Sequence, residues 1–542
     1  MATQFRTIIV TGGIVSGIGK GITAASLGRL LQNRGFTVFP VKADPYLNRD
    51  AGTMNPFQHG EVFVTNDGAE TDLDLGHYER FLNINLSRLA NFTSGAVFHT
   101  VMEQEREGDY LGEDIQIIPH VTDEIKRRIY EAGKASKADF LSVEIGGTVG
   151  DIEALPFLEA IRQFRDENRD RTVHVHVVKM DYLYPSDEGK TKPIQHAVIS
   201  VRSHGLQPDI LVVRCKRPLA PHEKEKIALF CGVSPEYIIP AMDAESLYAI
   251  PENMEEAGFA TAVLDHFGVK PKHAPNGAAA RWAAMRKNER TRKGTIRVGL
   301  AGKYITSSDA YLSVIEAVKH AGIRHRVHTE IIPIDTEEPG LADKVRRVDA
   351  LIVPGGFGAR GVEGKILAIA TARKNKIPFL GICLGLQMAV VEYARSVAKL
   401  SSATSQEFDE KALHKVIAFL PGQEDIHRKG GTMRLGSYPT LLKSGSMAEK
   451  LYKKYRPDEI VDHVINERHR HRYEVNPEYQ DALIKAGLII SGTLPERGLV
   501  EFIELPKEVH PYFIATQAHP EFRSRPDEPH PLFAGLIEAA QK

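Results

Sequence analysis

Short apolar runs alternate with amphipathic stretches along the first half of the chain. Five runs have the length of a strand and lie at residues 7–10, 37–41, 140–145, 173–178 and 210–213. Strands buried on both faces are apolar throughout, whereas apolar positions that repeat every three to four residues, as at 22–31, are typical of helices. This alternation predicts βα units around a mostly parallel sheet.

The composition changes over residues 268–294, where proline, glycine and charged residues replace the apolar runs, as is typical of a linker. Further strand-like runs follow at 296–300, 350–353 and 378–381. We therefore predict an α/β fold class with two α/β domains, each built on a mostly parallel sheet. The predicted boundaries are a first domain at 1–270, a linker at 271–294 and a second domain at 295–542.

Composition excludes several classes of protein. The 542 residues include 69 Lys and Arg against 70 Asp and Glu, and the net charge of -1 gives no electrostatic reason to expect nucleic-acid or membrane binding. Three cysteines are too few for a disulfide framework and fit a reducing compartment. The chain starts with a strand pattern rather than a leader, and no apolar run is long enough to cross a bilayer. We expect a cytoplasmic protein.

A glycine-rich loop follows the first apolar run and precedes the helical pattern at 22–31. Its sequence is Gly12-Gly13-Ile14-Val15-Ser16-Gly17-Ile18-Gly19-Lys20-Gly21. A strand, a glycine loop and a helix start in this order direct backbone N–H groups and the positive end of the helix at one point, which suits a phosphate. Lys20 could reach the outer phosphates and Ser16 could donate to a phosphate or to a second ligand. A purely structural turn remains the alternative.

The loop is an incomplete Walker A motif, because Ile14 and Gly21 stand where that motif has Gly and Ser or Thr. Any Mg²⁺ ligands must then lie elsewhere. Glu144 closes the apolar strand 140–143, and carboxylates at the carboxyl ends of strands suit Mg²⁺. Asp74 in the acidic run 70–74 is a second candidate, whereas for Asp72 we favour a solvated surface position.

Two further polar features have ordinary explanations as well as functional ones. The loop 189–196 contains two lysines, a hydroxyl and an amide that could hold a second phosphate chain, although such loops are usually only solvated. His174 and His176 alternate on a strand, and without a third metal ligand we interpret them as strand-face histidines.

The second half carries the elements of a thiol-dependent acyl-transfer site. Gly381-Ile382-Cys383-Leu384-Gly385 places a cysteine on a tight turn between an apolar strand and a helical pattern, as in a nucleophile elbow. The Leu384 N–H, at the start of the following helix, would serve as an oxyanion donor. His519 could act as general base and Glu521 could orient its imidazole. The turn at 354–358 could supply a second oxyanion N–H.

These C-terminal elements resemble the class I, or triad, glutamine amidotransferase family, which hydrolyses glutamine to ammonia through a thioester. The N-terminal half is similar to the synthetase domain of the CTP synthase family in four motifs, at 12–21, 68–80, 144–153 and 190–195. The resemblance covers nearly the whole chain in that family's domain order. One departure is Gly17-Ile18, where many bacterial members have Ser-Leu, although the loop length and Lys20 are kept.

The resemblance implies ATP-dependent amination of UTP to CTP, with glutamine as nitrogen donor. In that family ATP phosphorylates uracil O4 and ammonia then displaces the phosphate. It also implies a P-loop-like synthetase domain, a homotetramer, an internal ammonia channel, activation by GTP and feedback inhibition by CTP.

The resemblance also implies which residues form the sites, motif by motif. The resemblance implies an ATP site at Gly17, Ile18, Gly19, Lys20, Gly21, Ile22 and Asp74. It places Mg²⁺ on Asp74 and Glu144. UTP, or CTP as inhibitor, would be bound by Ser16, Asp151, Ile152, Glu153, Lys190, Thr191, Lys192, Pro193, Ile194, Gln195 and Lys226. Glutamine would be held around Cys383 by Gly356, Leu384, Gly385, Leu386, Gln387, Glu407 and Arg472.

Three alternatives remain at this stage. One is another ATP-dependent glutamine amidotransferase or ligase of the cobyric acid synthase type, against which the motifs at 144–153 and 190–195 argue. Another is a partition ATPase that binds DNA, which the neutral net charge and the Cys383, His519 and Glu521 set oppose. The third is a non-catalytic, filament-forming relative.

Overall fold

The computed structural model describes residues 5–13, 15–272, 277–305, 308–419 and 433–541. Ile14, which bears on the Walker A comparison, and residues 273–276 of the predicted linker lie outside the described residues. The chain divides into two compact units. The first unit comprises 1–51 and 74–282, and the second comprises 52–73 and 283–542.

The bounds of the strands and helices are as follows. In chain order the strands are β1 Arg6–Gly12, β2 Val38–Asp44, β3 Phe63–Val64, β4 Glu70–Thr71, β5 Asn91–Thr93, β6 Phe140–Ile145, β7 Thr172–Lys179, β8 Asp181–Leu183, β9 Glu188–Lys190, β10 Ile210–Cys215, β11 Ile238–Met242, β12 Thr295–Gly302, β13 His328–Asp335, β14 Ala350–Val353, β15 Phe379–Ile382, β16 Ala403–Ser405, β17 His414–Phe419, β18 Arg434–Leu442, β19 Val464–His471, β20 Tyr473–Val475, β21 Ile489–Thr493, β22 Val500–Glu504 and β23 Phe513–Thr516. The α-helices are α1 Lys20–Asn33, α2 Pro56–His59, α3 Asp74–Leu82, α4 Ser94–Glu107, α5 Thr122–Ser136, α6 Leu155–Glu167, α7 Lys192–Ser203, α8 Pro221–Cys231, α9 Ile250–Glu256, α10 Phe259–His266, α11 Ala278–Arg290, α12 Leu312–His325, α13 Leu341–Val345, α14 Val362–Asn375, α15 Leu384–Ser396, α16 Met447–Tyr455, α17 Gln480–Lys485 and α18 Pro531–Ala540.

The first unit is built on a seven-stranded sheet in the order β11-β10-β7-β1-β6-β2-β5, in which every neighbouring pair is parallel. The central strands are apolar because helices cover both faces; Ile9 and Val143, for example, pack with Ile129 of α5 and Phe157 of α6. The carboxyl ends of β1 and β6 lie side by side, and they carry the glycine loop and Glu144 respectively.

The second unit contains a nine-stranded sheet in the order β13-β12-β14-β15-β23-β22-β21-β18-β19. The strands from β13 to β23 are parallel, and those from β23 to β19 are antiparallel. The predicted α/β class is confirmed in both units, but the parallel arrangement holds for only part of this sheet. In β18, buried residues alternate with partly exposed ones over much of the strand, and in β19 the buried residues include the polar Glu467, Arg468 and His469. Neither strand therefore has the continuous apolar run on which the prediction was based.

Segment 52–73, defined by those residues, belongs to the second unit although it comes from the N-terminal part of the sequence. It contains α2 and the β3–β4 hairpin. The carboxylate of Glu61 accepts hydrogen bonds from both the N–H, at 2.8 Å, and the hydroxyl of Ser313 at the start of α12. Arg468 on β19, which is fully buried, donates to Asn66 at 2.6 Å and to the Val64 carbonyl at 3.0 Å.

Helix α11 occupies the middle of the predicted linker, and the division between the two units falls within it, after Trp282. The domain boundaries expected from the sequence, with a linker at 271–294, stay a prediction. Among the described residues, no helix combines the length and the hydropathy that a membrane span requires.

Candidate active sites

The glycine loop of the first unit connects β1 to α1. Gly17 and Gly19 have φ angles of 67° and 100°, in the left-handed region that favours glycine. Among the described residues, no side chain caps the first turn of α1, so its N–H groups are available to a ligand. A Cβ on Gly12 would lie 2.9 Å from Cδ of Lys20, so glycine at this position lets the Lys20 side chain fold back over the end of β1.

Lys20 joins this loop to the end of β6. Its ammonium donates to the Gly147 carbonyl at 2.6 Å, and the residue is buried. Burial lowers the pKa of Lys20, and the negative charge of Glu144 partly opposes that effect. The glycine loop and the predicted acidic site therefore lie together in the first unit.

The carboxylates of Asp74 and Glu144 both contact one ammonium, that of Lys42 on β2. Lys42 donates to Glu144 at 2.7 Å and also to Asp74, and Asp44 lies 4.0 Å from the same nitrogen. Burial would lower the pKa of Lys42, but the three carboxylates outweigh burial and raise it well above its usual value. Tyr78 donates to the other oxygen of Glu144. The two predicted metal ligands, Asp74 and Glu144, therefore both bind the Lys42 ammonium.

This geometry fits Mg²⁺ held partly by a bound nucleotide. Within the described ranges, no three His, Cys, Asp or Glu side chains are arranged as a complete metal site. Mg²⁺ usually takes one or two carboxylates together with phosphate oxygens and water, so a pair is sufficient. A Cβ on Gly21 would lie 2.5 Å from Asp74, which shows how closely this carboxylate approaches the start of α1.

The residues predicted for UTP lie on three segments of the chain: the glycine loop, the run 151–153, and the stretch from the end of β9 to α8. Thr191 precedes α7, and its hydroxyl accepts a hydrogen bond from Gln195 at 3.1 Å. Lys190 pairs with Glu188 at 2.7 Å, and Lys226 on α8 is close enough to help lower the pKa of that carboxyl. Ser16, Lys192 and the run 151–153 are exposed, while Ile194 is buried in the core beside Pro193. No hydrogen bond or ion pair among the described residues joins 151–153 to 190–195.

Cys383 stands between β15 and α15 with φ 52° and ψ -105°, a strained conformation for a residue other than glycine. The neighbouring glycines make the turn possible. A Cβ on Gly385 would lie 2.0 Å from the Val353 carbonyl, and one on Gly381 would lie 2.8 Å from Ala515. The strand, strained residue and helix start are the arrangement of a nucleophile elbow.

His519 follows β23 and lies beside the cysteine. A Cβ placed on Gly355 would lie 3.5 Å from Cys383 Cβ and 3.8 Å from His519 Nε2. Both side chains therefore face the space beside Gly355. Glu521 accepts a hydrogen bond from His519 Nδ1 at 2.7 Å, which leaves Nε2 directed away from Glu521. Burial would lower the pKa of His519, but the negative charges of Glu521 and Cys383 outweigh it and raise the pKa to about 10.

Of the residues predicted to bind glutamine, Gly356 lines the same cavity as Cys383 and His519, and Leu384 to Gln387 begin the helix that follows Cys383. Glu407 accepts a hydrogen bond from the Gly358 N–H at 2.7 Å. Burial raises the pKa of Glu407, and the nearby positive charges of Lys303, Lys365 and Arg472 oppose that shift. On α15, Leu384, Gly385, Leu386 and Gln387 are all buried. Gln387 donates to the Tyr473 carbonyl at 3.0 Å.

A cavity of about 110 Å³ opens on Cys383, His519 and Glu521 within the second unit. Its wall includes Gly355, Gly356, Phe357 and Arg470, together with residues that sequence reasoning missed: Pro56, Glu61 and Val62 of segment 52–73. Arg470 forms an ion pair with Glu70 at 2.7 Å. Lys42 was also missed, and its only signal in the sequence is a charge directly after the apolar run 37–41.

Comparison with known proteins covers both halves of the chain. Residues 6–269 match the family model described as CTP synthase N-terminus, and residues 306–539 match glutamine amidotransferase class-I. A protein of Pelotomaculum thermopropionicum named CTP synthase is 52% identical over 541 residues, which are 99% of this chain and 98% of its own length. A CTP synthase of Methanococcus aeolicus is 51% identical over 545 residues, with coverages of 99% and 98%.

Among solved structures, the glutaminase domain of Trypanosoma brucei CTPS with bound acivicin is 37% identical to this chain. The likeness covers 45% of this chain and 94% of that domain, with a TM-score of 0.41.

Proposed function

The chain belongs to the CTP synthase family, and from this membership we propose how its two sites divide the reaction. The enzyme is a carbon–nitrogen ligase of pyrimidine biosynthesis that converts UTP to CTP with ATP and with nitrogen from glutamine. We propose that the second unit releases ammonia from glutamine and that the first unit activates and aminates UTP. A ligase of the cobyric acid synthase type and a non-catalytic relative are not favoured.

The observation that carries the glutaminase assignment is the placement of strained Cys383 beside a histidine whose Nδ1 donates to Glu521. His519 Nε2 takes the Cys383 thiol proton before the attack, as the raised pKa of His519 indicates, and the Sγ thiolate then attacks the amide carbon while the carbonyl electron pair moves onto oxygen. The N–H groups of Leu384 and Gly356 receive that oxyanion. Its collapse expels ammonia, which takes the proton from His519, and water then hydrolyses the thioester.

Glutamine recognition follows from the groups around the nucleophile. We propose that Glu407 and Arg472 bind the charged amino-acid end of glutamine and that Gly356, Gly385, Leu386 and Gln387 line its amide end. The opposite charges of Glu407 and Arg472 match the ammonium and carboxylate of a free amino acid.

In the first unit the proposed ATP site is the loop from Gly17 to Ile22 with Asp74. Lys20 would balance the charge of the phosphoryl group as it moves from ATP to uracil O4, which releases ADP. Ammonia then attacks C4, phosphate leaves with O4, and one proton is lost. Asp74 and Glu144 would hold Mg²⁺, which when bound neutralises phosphate charge.

UTP is assigned to Ser16, to the run from Lys190 to Gln195 and to Lys226, because lysine and hydroxyl groups suit a triphosphate. CTP as feedback inhibitor would use part of this surface with Asp151, Ile152 and Glu153. We extend the family's remaining properties to this chain as proposals: a homotetramer, passage of ammonia between the sites, activation by GTP and a cytoplasmic location.

The test is a spectrophotometric assay of UTP conversion to CTP with ATP, Mg²⁺ and glutamine, run with and without GTP. CTP should form in the complete mixture and should fail to form when ATP or Mg²⁺ is left out. Ammonium chloride in place of glutamine should also give CTP, because free ammonia does not have to be released in the second unit. Glutamine hydrolysis without CTP formation from either nitrogen source would contradict the proposal.

A further inference from the structure

Lys365 is a buried cation behind the loop that faces the nucleophile. It lies on α14 with 1% of its surface exposed, and it is among the largest fully buried side chains. Its ammonium donates one long hydrogen bond, 3.4 Å, to the Pro354 carbonyl. None of the ion pairs among the described residues includes it. A lysine buried without a carboxylate partner is unfavourable in a core, so this one calls for an explanation.

The loop 354–358 is held on both sides by ammonium groups. Lys365 binds the Pro354 carbonyl from within, and Lys303 donates to the Phe357 carbonyl. Between these two carbonyls lie Gly355, which faces Cys383 and His519, and Gly356. A Cβ on Gly356 would lie 3.7 Å from the Lys365 nitrogen, so only the thickness of the backbone separates that nitrogen from the cavity.

The anions near Lys365 are those of the reaction site. Burial is the main influence on the pKa of Lys365, and with the positive charge of Lys303 it lowers that pKa to about 7. Cys383 and Glu407 act in the opposite direction. A charge placed in a site of low polarity and aimed at developing negative charge stabilises a transition state more than the same charge in water. The thiolate and the oxyanion are the negative charges that develop here.

We propose that Lys365 is a positioning residue of glutamine hydrolysis, whose ammonium fixes the 354–358 loop and favours negative charge at Cys383 and the oxyanion. The proposal rests on the glutaminase function assigned above to the second unit. It requires no new chemical step, because Lys365 acts through the loop backbone and through its charge.

The test compares Lys365→Met and Lys365→Gln with the wild-type enzyme. Both variants remove the charge while nearly keeping the side-chain volume, and Gln retains a donor for the Pro354 carbonyl. We expect the kcat for glutamine hydrolysis to fall by about 10- to 100-fold in Lys365→Met, while KM changes by less than about threefold. The kcat of Lys365→Gln should fall less than that of Lys365→Met. Ammonia-dependent CTP formation should stay at the wild-type rate in both.

A pH series separates this role from a merely structural one. The active form carries the proton on Lys365, so the ratio of wild-type to Lys365→Met kcat/KM should be largest below pH 7. It should decline as the pH rises through about 7. A structural defect would give a ratio that does not change with pH.

The matched control is Lys374→Met, a change at an exposed lysine on the same helix, which should leave both activities unaltered. Cys383→Ala distinguishes failure of this proposal from failure of the glutaminase assignment, because it must abolish hydrolysis if that assignment holds. Wild-type kcat in a Lys365→Met enzyme that melts normally would overturn the proposal. Failure of both Lys365 variants to fold would overturn it too, since Lys365 would then serve the core.

Discussion

The Lys42 nitrogen lies 2.7 Å from Oε1 of Glu144, and the same ammonium donates to Asp74. A single cation therefore joins the two carboxylates that we propose as Mg²⁺ ligands. In Lys42→Met the buried Glu144 and the half-buried Asp74 lose the cation between them, and we expect the free energy of unfolding to fall by about 3–5 kcal/mol. Because Mg²⁺ would no longer compete with the ammonium, it should raise the melting temperature more in the variant than in the wild type.

Thermal melts with and without MgCl₂, in the absence of nucleotide, measure this difference. Lys179→Met removes an exposed lysine at the end of β7 and serves as the control, with wild-type melting in both conditions. Equal Mg²⁺ effects on the Lys42 variant and the wild type would show that the two carboxylates do not bind the ion.

Cys383→Ala should abolish CTP formation with glutamine and leave formation with ammonia largely intact. The reason is that the thiol is needed only to release nitrogen from glutamine. Both rates are measured on one preparation by following CTP absorbance. Loss of ammonia-dependent activity as well would contradict the division of labour between the units.

Lys20→Ala should remove CTP formation from either nitrogen source. Without the ammonium, the charge of the transferring phosphoryl group is unbalanced, and we expect a loss of at least about 10²-fold in kcat. Glutamine hydrolysis in the second unit provides the internal control for folding. A Lys20→Ala enzyme that makes CTP from ammonia at the normal rate would disprove the role assigned to Lys20.

Glu521→Gln should lower the kcat for glutamine hydrolysis by about 10²- to 10⁴-fold, because His519 loses the carboxylate that orients it. The change should also alter stability in a pH-dependent way. In the folded protein the pKa of His519 is raised from 6.5 to about 10. The stabilisation is therefore complete below pH 6.5 and is lost as the pH rises through about 10.

Urea unfolding of wild type and Glu521→Gln at pH 6 and pH 10 tests the direction of this pH dependence. The difference in unfolding free energy should be large at pH 6 and should shrink toward pH 10. A difference that grows with pH would mean that the His519 imidazole is neutral in the folded enzyme.

The parts of the fold that follow from sequence are the parts with local signals. The β1, β6, β7 and β15 strands were predicted because a parallel strand buried on both faces is apolar throughout. The strand β18 gave no such run, because only alternate side chains reach the core. The helix α11 was hidden by its charged residues, which also resemble those of a linker.

The same distinction applies to the sites. The elbow at Cys383 could be found because its glycines and its strand-to-helix transition are contiguous. The Lys42 cluster could not, because it depends on Asp74 and Glu144, which lie 32 and 102 residues away in the chain. The roles assigned to individual site residues stay predictions until the variants above are measured.

The inclusion of segment 52–73 in the second unit determines how this protein can be recombined with its relatives. A chimaera joined after residue 282 would take that segment from one parent and the rest of the second unit from the other. In the Glu61–Ser313 and Arg468–Asn66 pairs, the two residues of each pair would then come from different parents. The same holds for the residues of segment 52–73 and the other residues that line the cavity at Cys383. Inheriting the glutaminase as an intact whole requires two further crossovers, after residue 51 and after residue 73.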